Sequence, residues 1–159
     1  MVILDILTKR TNRDPADKKL PISGAYKSKW LFSMNEKETF RKLKEITDPM
    51  DCYLFTKVRL LDLVEPISGN KNYRTYMNKI QSKHVDFVIC DKKLVARCII
   101  ELDDSSHKRQ DRKERDTFVD EVLQSTGYQI IHVEGVTPEL EAHIKTIFSP
   151  ADPSGKTIA

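Results

Sequence analysis

Residues 84–102 read HVDFVICDKKLVARCIIEL. Two apolar runs rich in β-branched residues flank the polar stretch Asp91, Lys92, Lys93, which is the pattern of a β-hairpin. One residue interrupts the first run. Asp86 stands inside HVDFV, where no turn or cap has a use for a carboxylate. The second run ends in Glu101, and Asp103 and Asp104 follow at once. Strand alternation puts Glu101 and Asp103 on one face. A tight turn at 91–93 sets Asp86 opposite Cys98, so a bulge, or the diagonal reach of two side chains, is needed to bring Asp86 to Glu101.

Carboxylates beside apolar strands repel each other and are costly to desolvate unless something compensates them. A divalent cation does so, and hard oxygen ligands suit Mg²⁺ or Mn²⁺. Such an ion lowers the pKa of a bound water and neutralises charge on a phosphoryl oxygen. The plainer alternative is that Asp103 and Asp104 end a strand and cap the following turn. That account suits Asp104 better than it suits Asp86 with Glu101. Zinc fits less well, because His84, His107, His132 and His143 do not combine with the cysteines at ligand spacing.

Beyond the acids runs HKRQDRKERD, residues 107–116. Such a run is ordinarily a solvated helix face with i,i+4 pairs such as Asp111 to Arg115. Directly after an acidic metal site, the same run puts Lys108, Arg112, Lys113 and Arg115 where phosphate oxygens would lie. His107 has a near-neutral pKa suited to acid–base work, or it is an incidental loop histidine.

Outward from this segment, SMNE (33–36) is a capping box, and Phe40, Leu43 and Ile46 follow at helical spacing. CYLFTKVRLL reads as a strand over about 53–60. Residues 65–83 open with turn residues and continue as a basic stretch carrying Tyr73 and Tyr76, either a short helix or a long loop. Residues 110–126 fit a helix with Phe118, Val119, Val122 and Leu123 as its apolar stripe and Gly127 as its stop. YQIIHV reads as a buried strand, and Thr137 with Pro138 opens a closing helix. The order α, β, (loop or helix), β, β, α, β, α implies an α+β domain whose mixed sheet is flanked by helices.

At 159 residues the chain has room for one domain with a sizeable core. Its 39% hydrophobic and 32% charged residues suit a soluble globular protein. The net charge of +3 permits nucleic-acid binding without demanding it. Residues 1–28 read as a flexible basic arm or linker, 29–148 as the folded domain and 149–159 as a disordered tail. Cys52, Cys90 and Cys98 show no CxxC spacing, which points to reduced thiols and a cytoplasmic setting. No apolar run approaches the length of a membrane span.

The acid within a strand, the turn, and the apolar strand ending in E-x-polar before a helix resemble the PD-(D/E)XK nuclease superfamily. The similarity lies in residues 29–134, most of it between Lys83 and Asp116. It is strongest to an uncharacterised bacterial domain family related to very-short-patch-repair and restriction-type endonucleases. The resemblance implies a restriction-endonuclease-like αβββαβ core and a metal-dependent phosphodiester hydrolase acting on DNA. It implies Asp86 and Glu101 as ligands of Mg²⁺ or Mn²⁺, assisted by the carbonyl of Leu102, with Glu36 completing the site. It further implies that His107 closes the E-x-D-x-x-x-H loop and that Arg115 faces the site, with Arg112 a neighbouring candidate for phosphate. A homodimer, or a fused or partner DNA-processing protein, also accords with such relatives. One position departs from the pattern: Asp103 stands where the superfamily has a lysine. Either Asp103 serves as a third ligand while His107, Lys108 or Lys113 supplies the lysine's function, or the domain keeps the fold as an inactive module that binds nucleic acid or a partner protein.

Overall fold

Ser33 opens the first helix, α1 (Met34–Thr47), with the capping box that its sequence encodes. The Glu36 N–H donates to Ser33 Oγ at 3.3 Å, and the Ser33 N–H donates to Glu36 Oε2 at 2.6 Å. Each bond satisfies a backbone donor that the helix end leaves orphaned. The computed structural model describes the backbone of residues 22–103 and 110–149, and the side chains of 22–103 and 117–149. The expectations for the arm before Ile22, for Asp104, His107, Lys108, Arg112, Lys113 and Arg115, and for the tail beyond Ser149 lie outside the described side chains.

The chain divides into two units, Met1–Leu31 and Phe32–Ala159. In the first, Gly24 takes φ 76° in a turn where the Ala25 N–H donates to the Ile22 carbonyl at 3.0 Å. The second holds all the regular elements of the described residues. After α1 come β1 (Cys52–Arg59), a 3₁₀ turn (Leu60–Asp62), α2 (Tyr73–Ile80), β2 (His84–Asp91) and β3 (Ala96–Leu102). The helix α3 (Gln110–Ser125), the strand β4 (Ile130–Val133) and the helix α4 (Pro138–Ile147) complete the order. The basic stretch left open as helix or loop is thus partly helical. Ile80 is its buried anchor.

The four strands form one sheet in the order β1-β2-β3-β4. The first two pairings are antiparallel, and β4 joins β3 in parallel across α3. This is the expected mixed sheet of an α+β domain. Apolar layers cover both faces. Leu43 and Ile46 of α1 with Leu140 and Ile144 of α4 pack on Phe87, Ile89, Cys98 and Ile100. On the other face, Ile80 of α2 with Val119 and Leu123 of α3 packs on Val85, Val88 and Ile99. The expected stripe of α3 is the one that packs there, with Phe118 and Val122 partly buried beside it. β4 is shorter than the run YQIIHV and only half-buried, because it forms an edge of the sheet. Thr137 caps α4 by accepting from the Leu140 N–H at 3.3 Å.

The β2–β3 hairpin settles the register. Its loop is wider than DKK alone: the Asp91 N–H donates to the Val95 carbonyl at 2.9 Å, and the Leu94 N–H donates to the Asp91 carbonyl at 2.8 Å. Asp91 Oδ1 also accepts from the N–H groups of Lys93 and Val95. Leu94 takes φ 63°, the left-handed conformation that ends three-residue hairpin loops. Ile89 then faces Cys98 while Cys90 faces Ala96, so Arg97 is the extra residue of a bulge. Past the bulge Phe87 faces Ile100, and Asp86 and Glu101 are the next residues beyond that pair. Of the two means that the sequence pattern left open, a bulge is present.

Candidate functional site

Four charged or titratable residues stand in one row across the sheet. Glu101 is the register partner of His132 on β4. Asp86 and Glu101 each lie one step along their strand beyond the Phe87–Ile100 pair. Lys57 of β1 lies opposite Asp86, between the Thr56–Phe87 and Val58–Val85 pairs. The row is Lys57, Asp86, Glu101, His132, one residue from each strand.

The ladder is irregular at its first two members. Lys57 takes φ 54°, a left-handed conformation that is strained for a residue with a side chain. Val85 and Val88 both join the α3-side core while Phe87 joins the α1-side core, so simple alternation fails around Asp86. Glu101 keeps its alternation, with Ile99 on the α3 side and Ile100 and Leu102 on the other.

Lys57 is the hub of the α1 end. Its Nζ bonds directly to Glu36 Oε1 and lies 3.7 Å from Asp86 Oδ1. The other Asp86 oxygen accepts from the Leu102 N–H at 3.1 Å, which ties it to the residue beside Glu101. All three side chains are largely covered, Glu36 and Asp86 each keeping 18% exposure and Lys57 27%. Burial pushes the Glu36 carboxyl up, but the Lys57 ammonium and the Ser33 N–H and hydroxyl together hold it below the ordinary carboxylate value.

At the other end of the row, His132 lies between two carboxylates. Nδ1 is 3.2 Å from Asp103 Oδ1, and Nε2 is 3.1 Å from Asp120 Oδ1 on α3. Burial lowers the imidazole pKa, yet the two carboxylates outweigh it and raise the value above 6.5. The Asp103 N–H donates to the Val133 carbonyl at 2.7 Å, so the residue standing in place of a lysine is joined to β4 through both backbone and side chain.

The structure therefore brings Glu36 to Asp86 through Lys57, places Asp86 and Glu101 just beyond the Phe87–Ile100 pair, and joins Asp103 to His132 instead. Leu102 meets Asp86 through its N–H. Lys57 and His132 are the members that the sequence motifs left out. A signal for both exists: each is a polar residue inside an apolar strand, as in CYLFTKV and YQIIHV, just as Asp86 is. Among the described residues no three His, Cys, Asp or Glu side chains stand together as a ready ligand set. The oxygens of Asp86 and Glu101 nonetheless suit Mg²⁺, which usually binds through one or two carboxylates and keeps several waters. Burial pushes the Cys90 thiol up to about 11 and the Cys98 thiol up to about 12, away from the thiolate form.

Residues 28–149 match a family whose description is "Protein of unknown function (DUF2726)". The chain belongs to this family. The matched span takes in the row across the sheet and all four described α-helices, α1 to α4. A protein of Haemophilus influenzae described as "Uncharacterized protein" is 29% identical over 108 residues, covering 67% of this chain and 54% of that protein. The chain thus spans about half the length of that relative. No solved structure matches the chain significantly. Among the described residues no helix is long and apolar enough to cross a membrane.

Proposed function

We propose that this domain is a metal-dependent nuclease of PD-(D/E)XK type that hydrolyses phosphodiester bonds, with DNA as substrate. The observation that carries the reading is placement: the acid inside β2 and the acid near the end of β3 follow directly beyond the Phe87–Ile100 pair, beside Lys57, whose left-handed backbone interrupts β1. Asp86 and Glu101 would hold Mg²⁺ or Mn²⁺. When bound, the ion supplies an acidified water and neutralises charge on the phosphoryl group.

The chain's own residues provide the remainder. The Leu102 N–H orients the Asp86 carboxylate, and Glu36 anchors the Lys57 ammonium beside it. His132, held between Asp103 and Asp120, fixes β4 and α3 against the end of β3. Positive charge for a phosphate backbone comes from Lys108, Arg112, Lys113 and Arg115 on and before α3. A second source is the segment 66–84, which contains no acid and carries Lys71, Arg74, Lys79 and Lys83. Lys79 is held by α3, its ammonium 5.5 Å over the Phe118 ring.

A second reading has its own support. Lys57 and His132 pair Glu36, Asp86, Asp103 and Asp120 internally, as expected of an inactive module that binds nucleic acid or a partner protein. Incubating the purified chain with supercoiled plasmid and with single-stranded DNA, in Mg²⁺, in Mn²⁺ and in chelator, separates the two. The nuclease reading expects nicked or shortened products only with the cation. Binding without products under every metal condition favours the module.

A further inference from the structure

Lys57 was brought forward by no motif, yet the backbone bends out of the β1–β2 ladder at its position. A side chain there occupies a left-handed conformation that glycine would adopt freely. Such strain persists only where the surrounding structure enforces it, and it gathers at functional positions. At this position the side chain makes a pair of contacts of unequal closeness. Glu36 makes the direct contact, while Asp86 Oδ1 stands off at 3.7 Å. Glu36 is itself fixed, because its second oxygen accepts from the Ser33 N–H at 2.6 Å. The ammonium is therefore anchored on α1 and leans toward β2.

We propose that Lys57 is a built-in counter-cation that competes with a divalent ion for Asp86, an inference that rests on the metal-site reading above. Without the ion, Lys57 neutralises two carboxylates that would otherwise repel each other in a largely covered site. With a divalent ion on Asp86, two cations face one carboxylate. The looser contact is the one that yields. Lys57 keeps Glu36 and gives up Asp86, and an ammonium with three donors then has one to offer to the anionic oxygen of a phosphodiester. The placement thus couples metal binding to the release of a phosphate contact a few ångströms away. It also gives this chain a lysine at the site although Asp103 occupies the expected position.

The test is calorimetric titration of Mn²⁺ into the full chain without nucleic acid, for wild type, Lys57→Met, Lys57→Arg and Asp86→Asn. Removing one adjacent positive charge is expected to tighten Mn²⁺ binding of Lys57→Met by about tenfold, the effect of one unit charge at this range. Lys57→Arg should bind as wild type does, and Asp86→Asn more weakly. If wild type binds Mn²⁺ and Lys57→Met binds it no more tightly, the competition is overturned while the metal-site reading stands. Absence of binding by both wild type and Lys57→Met, or wild-type affinity in Asp86→Asn, overturns the two together. Should Lys57→Met fail to fold, Lys57→Gly removes the ammonium while relaxing the backbone, and the same tenfold gain is expected of it.

Discussion

Glu36 divides its two oxygens between two duties, one to the N-terminus of α1 and one to Lys57. Substitution separates them. Glu36→Gln keeps the capping box, in which glutamine serves as well, and loses the ion pair. Glu36→Ala loses both and should cost about 1–2 kcal/mol in urea denaturation, more than Glu36→Gln. Because the folded-state pKa of Glu36 is depressed, its charge stabilises the fold fully above the ordinary carboxylate range. That advantage over Glu36→Gln is lost as pH falls through the folded value, so the two midpoints should converge in acid. His132 has the opposite sign. Its pKa is raised by Asp103 and Asp120 against burial, so its contribution is complete below 6.5 and fades as pH rises through the folded value. The difference in thermal midpoint between wild type and His132→Gln should be larger at pH 6 than at pH 9. An equal difference at both would show that the imidazole between the two carboxylates is not charged in the fold.

Among the elements, the hairpin shows how far the residues could be read and where reading stopped. Alternation, the polar stretch after Cys90 and the acid in HVDFV were legible because they depend on local residue types. The register was not, because it depends on the left-handed Leu94 and the bulge at Arg97, for which the sequence offers no glycine. Leu94 is 62% exposed, so replacing it loses little packing. Leu94→Gly should stabilise the fold by about 0.5–1 kcal/mol, the relief of left-handed strain less the entropy of a freer unfolded chain. A midpoint below wild type would contradict this account of the loop. The same limit hid Lys57 and His132. Each is visible as a polar break in an apolar strand, but only pairing across strands joins them to Asp86 and Glu101.

For the whole molecule, the mixed sheet with helices on both faces was legible from the order of elements and from the β3–α3–β4 crossover. The site was legible as a set of acids but not as a row with a cation near one end and an imidazole at the other. The basic segment 66–84 calls for a test on the scale of a bound duplex. If α2 meets the phosphate backbone, Arg74→Ala with Lys79→Ala should weaken DNA binding equally for unrelated sequences. The slope of log affinity against log salt should fall by about 1 for each contact removed. An unchanged slope would remove α2 from the interface. The nuclease claim itself depends on Glu101, near the end of β3. Its most direct measurement is the rate of plasmid cleavage in Mn²⁺ by Glu101→Gln beside wild type, with both proteins shown to be folded. The account predicts metal-dependent cleavage by wild type and a loss of at least about hundredfold in the variant, the scale of removing a group that stabilises transition-state charge. Equal rates for the two proteins would contradict it.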